Sequence, residues 1–482
     1  MIDFRPIGYV IGLCVAALGL TMIVPMLADL LAGNEHWLVF AESATITVLF
    51  GGLMALACSN GVGTGLSLRQ TFLLTALVWL ALPVFGAIPF ILGTTEATFT
   101  DAFFEAMSGL TTTGATVFNR LDTLPEGLKL WRGILQWLGG VGIIVMAMVF
   151  LPELRVGGMQ IFRSEGFDTS GKILPRAGEI ASRISVIYAA LTVACALAYA
   201  ATGLAPLDAI THAMTTVSTG GMANYDTSFS LFGAGTQYVA IVFMILAALP
   251  FVRFVQLIAG TAAPLLQDTQ IRAFLMTISI VVLLIASWLW GRTGEMTEAS
   301  FRDSLFNVVS IMTGTGYASA NYMGWGTFPV VIFFFIGLVG GCAGSTSCSV
   351  KVFRYQLLFA SIKSQIRQIH SPSGIFTPKY GGRPVADDVL NSVMAFFVAF
   401  ILSLGVFSVL LGLTGLDFIT SVSGAAATLG NIGPGLGDMI GPAGNYAGLD
   451  DLPIWILAAA MFIGRLEVLV VLTILSIRFW RD

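Results

Sequence analysis

The chain has 482 residues, of which 56% are hydrophobic and 10% charged, with a mean hydropathy of +0.88 and a formal net charge of −4. A soluble fold of this length could not hide so much apolar surface, which excludes a soluble globular protein and leaves an all-α polytopic membrane protein. The five cysteines, Cys14, Cys58, Cys195, Cys342 and Cys348, form no CxxC motif or disulfide framework and read as small packing residues.

In chain order, apolar stretches near residues 7–32, 37–58, 71–92, 131–151, 184–203, 236–261, 273–291, 327–359, 389–413 and 453–477 predict ten membrane crossings. The first is too long for a cleavable signal peptide and reads as a retained anchor. After the first two, one pattern recurs four times: an apolar helix, a short helix opened by an acid, a glycine turn, and another apolar helix. This predicts an N-terminal helix pair over 1–65 and four repeats over 66–155, 156–265, 266–375 and 376–482. The turns read Thr111-Thr112-Thr113-Gly114, Val217-Ser218-Thr219-Gly220, Thr313-Gly314-Thr315-Gly316 and Gly430-Asn431-Ile432-Gly433. They follow Asp101, Asp208, Asp303 and Asp417 by 12 to 16 positions.

Each aspartate stands where an N-cap belongs. About ten residues separate it from the turn, a helix of roughly 15 Å that enters a membrane half-way without crossing it. Four such helices, capped outside, aim their C-terminal ends at one centre, each with about half a negative charge, which favours a cation there. The turns carry no Asp, Glu, Lys or Arg. Selection therefore falls to backbone carbonyls and hydroxyls. Gly114, Gly220, Gly316 and Gly433 give the backbone the freedom to orient them. A four-fold helix–pore helix–helix architecture around one pore is the fold this implies.

The turns Ser108-Gly-Leu-Thr-Thr-Thr-Gly114, Thr216-Val-Ser-Thr-Gly-Gly221, Thr315-Gly-Tyr317 and Gly430-Asn-Ile-Gly-Pro-Gly435 resemble the four filter loops of the Trk/Ktr/HKT potassium transporters. Gln136-Trp-Leu-Gly-Gly-Val-Gly142, Gly340-Gly-Cys-Ala-Gly-Ser-Thr346 and Gly464-Arg-Leu-Glu467 resemble further signatures of that family. Two extra N-terminal spans make the chain similar to the bacterial TrkH branch, rather than the shorter KtrB branch. The resemblance implies potassium uptake, a homodimer with one pore per subunit, and a cytoplasmic TrkA-type regulatory subunit that binds NAD or ATP. It also implies potassium contacts at Thr112, Thr113, Ser218, Thr219, Gly314, Thr315, Asn431 and Ile432 together with the aligned glycines, and no bound cofactor. Only Thr315-Gly316-Tyr317 approaches a potassium-channel filter, so fewer stacked sites and weaker rejection of sodium are expected.

Two gates are expected below that filter. Arg465 stands twelve residues into the last span, about 18 Å along it, where a guanidinium is costly unless it faces protein or water. Glu467, two residues on, cannot share its helix face. The stretch from Phe328 to about Ala360 is too long for one straight crossing, and Gly340, Gly341, Gly344, Ser345 and Thr346 fall in the segment that breaks it. That segment serves either as a movable constriction or as close helix packing.

Lys and Arg orient the chain: with both termini in the cytoplasm, inside segments hold 17 against five outside. A bacterial inner membrane fits. Two long inside segments, 151–183 and 361–388, mix basic residues with Phe162, Phe167, Ile173, Phe376 and Tyr380, as solvated connectors or docking surfaces. No G-x-G-x-x-G or P-loop occurs, so nucleotide control needs another protein.

Other chemistries fare worse. Gly435-Leu-Gly-Asp438 and Tyr225-Asp226 spell the motif pair of intramembrane aspartyl proteases, but both follow filter turns in outer loops. His36, His212 and His370 have no metal-ligand spacing; His212 sits at the same offset from its aspartate as Glu105 and Asn307. A transporter coupled to sodium or protons remains the rival, although such folds usually carry inverted repeats.

Overall fold

The computed structural model describes residues 2–61, 66–146, 158–159 and 177–481. The expected boundary at 155/156 and the side chains Phe162, Phe167 and Ile173 lie outside the described residues. Among the described residues the chain is almost wholly helical, with one two-stranded hairpin at Lys379–Tyr380 and Arg383–Pro384.

The N-terminal pair consists of Arg5–Thr21, continued by Ile23–Leu31, and the antiparallel helix Trp37–Cys58. They pack backbone against backbone. A Cβ on Gly12 would lie 2.6 Å from the Ala55 nitrogen, and one on Gly51 would lie 2.4 Å from the Ala16 nitrogen. Small residues permit this approach, which supplies the packing that lipid cannot drive hydrophobically.

The four repeats follow in order. Their outer helices are Leu68–Gly86, Ala177–Ala201, Thr269–Thr293 and Asp387–Leu413; their short helices are Phe99–Leu110, Pro206–Val217, Glu298–Thr313 and Phe418–Leu429. The short helices are buried along most of their length, so each hydrophobic face has protein around it on nearly all sides. Each also packs on the third helix of the preceding repeat. The first meets Asp451–Arg465, the second Glu126–Val145, the third Ala234–Ala247 and the fourth Thr327–Gly337. That cyclic order closes the four units on one another.

Seven of the ten expected spans are single long apolar helices or a nearly continuous pair. The other three are broken. The interval 236–261 divides into Ala234–Ala247 and Phe251–Ile258, bent by 90°; Pro250, lacking an N–H, stands at the break. The last span divides into Asp451–Arg465 and Val468–Leu475, bent by 103°. Arg465 therefore ends a helix, where a straight crossing would have carried it mid-way. The interval 327–359 stops at Gly337 and resumes at Val352. Its second helix runs on to His370, so the expected cytoplasmic connector from residue 361 begins as helix.

Candidate functional site: a closed ring of four loops

Each short helix ends by folding its chain back on itself. The Thr113 N–H donates to the Ser108 carbonyl at 2.9 Å, Gly220 to Thr215 at 2.9 Å, and Ile432 to Ala427 at 2.8 Å; the third loop closes from Gly316 to Ser310 at 3.2 Å. The turn needs a left-handed residue one place before this closure, or two in the third loop: Thr112 (φ 53°), Thr219 (φ 50°), Gly314 (φ 80°) and Asn431 (φ 52°). Three of these carry side chains in a conformation that costs free energy, so the surrounding packing must impose it. Two residues later come Gly114 (φ 86°), Gly221 (φ 75°) and Gly316 (φ 83°). Gly433 takes the same place without a left-handed φ.

This corrects the register read from the sequence. The glycine equivalent to Gly114 and Gly316 is Gly221, and Gly220 aligns with Thr113, Thr315 and Ile432. Ser218 is the residue that ends its helix. The signal was in the sequence: Glu105, His212 and Asn307 each precede this glycine by nine residues, which selects Gly221.

The four glycines close a ring. A Cβ on Gly114 would meet the Gly220 carbonyl oxygen at 2.1 Å, one on Gly221 the Thr315 oxygen at 1.7 Å, one on Gly316 the Gly433 nitrogen at 3.0 Å, and one on Gly433 the Gly114 oxygen at 2.9 Å. All four floor one vestibule of about 160 Å³. Backbone meets backbone around the whole circuit, with no charged side chain in it.

The ring is held from outside by one device used four times. The chain leaving the ring runs back along its own short helix, and a side chain on that helix takes up one of its N–H groups. Glu105 Oε2 accepts from Val117 (3.1 Å), His212 Nε2 from Asn224 (3.4 Å), Asn307 Oδ1 from Ser319 (3.3 Å) and Ser423 Oγ from Leu436 (2.9 Å). Glu105 also forms a buried ion pair with Arg132 at 2.7 Å, and Arg132 Nη1 donates to the Ala223 carbonyl of the second loop at 2.8 Å. The Gln136 side chain lies under that loop too, donating to Gly220 O (2.7 Å) and accepting from Met222 N–H (3.1 Å). Neither Arg132 nor Gln136 was singled out as a support by sequence reasoning, because their partners in the second loop lie 84 or more residues away.

The aspartates divide differently from the expectation. Asp417 is an N-cap, accepting from the backbone of Ile419 (3.1 Å) and Thr420 (3.2 Å). The Thr420 hydroxyl, with these N–H groups, holds its exposed carboxyl below the usual carboxylate range. Asp101 lies in the first turn, capped by Thr98. Asp208 accepts from Asn224 Nδ2 (2.7 Å) and Tyr225 Oη (2.8 Å), behind Ala205 at the cap position. Asp303 accepts from Ser319 Oγ at 2.8 Å, well inside a helix capped by Thr297. Asp208 and Asp303 thus fasten the chain leaving the ring, and only Asp417 caps.

On the opposite side of the ring lies the segment between Gly337 and Val352, and it touches all four loops. Thr346 Oγ1 donates to Val217 O (3.1 Å), the Ser349 N–H to Gly430 O (2.9 Å), the Cys348 Sγ stands 3.6 Å from Thr112 Oγ1, and Cys348 Cβ abuts Gly314. Gly340 and Gly341 admit close backbone: a Cβ on Gly340 would lie 1.9 Å from the Cys348 oxygen, and one on Gly341 2.8 Å from Ser347 Cβ. Gly344 has φ 73°, and Ser345 Oγ donates to Cys342 O.

Two cations meet this segment: Lys351, within it, donates from Nζ to the Ser347 carbonyl, and Arg465 approaches it from the last repeat. Its Nη1 stands 3.4 Å from Cys348 Sγ, its Nη2 3.5 Å from Gly139 O, and its guanidinium 5.7 Å from the Trp79 ring. Its Nε is buried without a partner. Glu467 turns to another helix and pairs with Arg354 at 2.5 Å. Arg465, Lys351, Cys348 and Asn431 line one cavity of about 60 Å³. The structure thus brings the loop glycines into one ring, with the Gly340–Thr346 segment and Arg465 packed on its other side.

Among the described residues, no three His, Cys, Asp or Glu side chains converge as a metal site. Asp226 is occupied by the backbone N–H groups of Arg120 and Leu121, and Asp438 lies exposed in the loop after the fourth turn, so the protease-like pair is not a facing dyad.

A family model described as TrkH, cation transport protein, matches residues 36–481. The Trk system potassium uptake protein TrkI of Halomonas elongata is 41% identical, over 99% of this chain and 97% of that one. The Trk system potassium uptake protein TrkH of Escherichia coli K12 is 34% identical over 99% and 100%. The crystal structure of the potassium transporter TrkH from Vibrio parahaemolyticus superposes with a TM-score of 0.91 and 33% identity, covering all of both chains.

Proposed function

The chain belongs to the TrkH family of cation transport proteins, a family of transporters and not of enzymes, and on that premise we propose that it conducts potassium into the cell through the ring. The observation that carries this reading is the closed circuit of four loops, floored by glycine and free of charged side chains. A dehydrated cation there would be met by carbonyl and hydroxyl oxygens of Thr112, Thr113, Gly114, Ser218, Thr219, Gly220, Gly314, Thr315, Gly316, Asn431, Ile432 and Gly433, joined by Gly221. Four helix C-termini meet at the ring and add partial negative charge without placing a carboxylate in the ion's path.

The segment around Gly340, Gly341, Gly344, Ser345 and Thr346 closes this path from below, and Arg465 adds a positive charge at the constriction. Both must shift for an ion to pass. The two long bonds of Arg465 and its unpartnered Nε support a guanidinium that is cheaply displaced.

Regulation falls to a TrkA-type cytoplasmic subunit that binds NAD or ATP, acting on a homodimer with one path per subunit. Both termini face the cytoplasm of a bacterial inner membrane. The repeats divide near residues 65, 155, 265 and 375.

The test is cation flux into liposomes holding the purified protein, comparing potassium, rubidium and sodium, with Gly316→Ser alongside. Potassium flux exceeding sodium flux, and altered by the substitution, supports the reading. Flux that appears only with a sodium or proton gradient would replace the simple path with coupled transport.

A further inference from the structure

A further cavity lies outside the ring and its constriction. About 460 Å³ in volume, it lies between Arg5–Thr21, Leu68–Gly86 and Glu126–Val145. That volume is in the range of small-molecule sites, roughly 300–1,000 Å³. Its walls are apolar. The two hydroxyls in the lining, Thr21 and Thr75, already donate to Leu18 O (2.7 Å) and Thr71 O (2.8 Å) of their own helices. Both hydroxyls are thus satisfied, and a cavity with so apolar a lining does not hold water.

Depth identifies what fills it. On the first helix the lining runs from Val10 to Thr21, roughly 16 Å along the middle of a membrane span. The medium at that depth is hydrocarbon. Ala17 in the lining is exposed on the membrane side, so the cavity opens laterally to that hydrocarbon.

Its inner wall is shared with the constriction. Trp79, Gly139 and Leu110 line the cavity on one side. On the other side Trp79 faces the Arg465 guanidinium and Gly139 O accepts from its Nη2. Leu110 ends the first short helix, and its carbonyl would lie 1.9 Å from a Cβ on Gly139.

We propose that this cavity binds one acyl chain of a bilayer lipid, and that the bound chain braces the wall of Trp79, Leu110 and Gly139 against which Arg465 rests. The binding half stands by itself; the consequence for flux rests on the proposed conduction path.

The test uses the full chain in lipid vesicles containing a trace of phosphatidylcholine with a photoactivatable diazirine midway along one acyl chain. After illumination, labelled peptides are mapped. Labelling enriched at Val10, Cys14 and Leu138 over the freely exposed Leu283 and Val409 is the expected result. It should be lost in Gly142→Leu, whose Cβ meets only Trp79 ring carbons at 3.7 and 3.9 Å and so directs its side chain into the open space. Ala17→Phe, closing the opening from the membrane side, gives a second variant. Cavity labelling no higher than at Leu283, or unchanged in both variants, overturns the site. In a parallel sample, a Cys14–Cys14 disulfide joining two copies on addition of a mild thiol oxidant also overturns it, assigning the cavity to a subunit contact. Potassium flux is read in the same vesicles: variants that lose labelling should change flux, and unchanged flux overturns the bracing role while leaving the conduction reading intact.

Discussion

Gly221 and Thr315 meet with no room for a side chain: a Cβ on Gly221 would stand 1.7 Å from the Thr315 carbonyl oxygen, between the second and third loops. The same glycine has φ 75°. Substituting Gly221 by alanine therefore adds backbone strain of about 1–3 kcal/mol to a contact that only a loop shift can relieve. We expect Gly221→Ala to reduce potassium uptake roughly tenfold or more, since about 1.4 kcal/mol is a factor of ten. Rubidium uptake by cells lacking other potassium transporters measures it. Uptake equal to wild type would overturn the register assigned to the second loop.

The buried pair of Glu105 and Arg132 gives a stability prediction. Their side chains are 0% and 2% exposed, so removing one leaves the other charged and uncompensated. Arg132→Ala should cost about 3–5 kcal/mol. Arg132→Lys should fall between, because a lysine reaching Glu105 cannot also bridge to Ala223 O in the same planar fork. Thermal unfolding in detergent ranks the three proteins.

The four equivalent fastenings behind the ring can be exchanged. His212→Asn places in the second repeat the residue found in the third, and should retain the bond to the Asn224 N–H. His212→Leu leaves that N–H unpaired in the interior, costing about 1–3 kcal/mol. Equal stability of the two variants would mean that packing, and not this bond, is what position 212 supplies.

Arg465→Ala removes the positive charge beside Cys348, whose sulfur in turn meets Thr112, and adds no side chain to the ring. We expect higher basal potassium flux, by about tenfold if the barrier falls by about 1.4 kcal/mol. Stopped-flow measurement on vesicles without any partner protein reads it. Lower flux would make Arg465 a support of the ring.

Asp417 carries a pH prediction. Its carboxyl is held below the ordinary value by the Thr420 hydroxyl and the backbone, so the cap's contribution is present above the unfolded pKa and lost as pH falls through the folded one. Asp417→Ala should cost about 0.5–2 kcal/mol at neutral pH. The difference from wild type should shrink in melts taken under acid conditions. A pH-independent difference would show that the lost bonds were not those of the carboxylate.

The membrane class, the two N-terminal helices and the four-fold recurrence were determined by the sequence alone, because hydropathy and turn chemistry act over a few residues. So were the loop residues themselves: glycine and hydroxyl residues without charge mark a backbone that must turn at depth. Tertiary structure decided what depends on partners far along the chain. Gly220 and Gly221 are equally permissive as isolated glycines; the nine-residue offset from His212 points to Gly221, and the Thr315 carbonyl pressed against it fixes that glycine in the ring. Asp208, Asp303 and Asp417 look alike by composition, yet the first two accept from residues beyond the ring while the third caps. Arg132, Gln136 and Cys348 acquired their places from chain segments tens to hundreds of residues away. Local propensity cannot specify such meetings. The closure of four packed repeats around one axis does, because it brings these distant segments within bonding distance of one another.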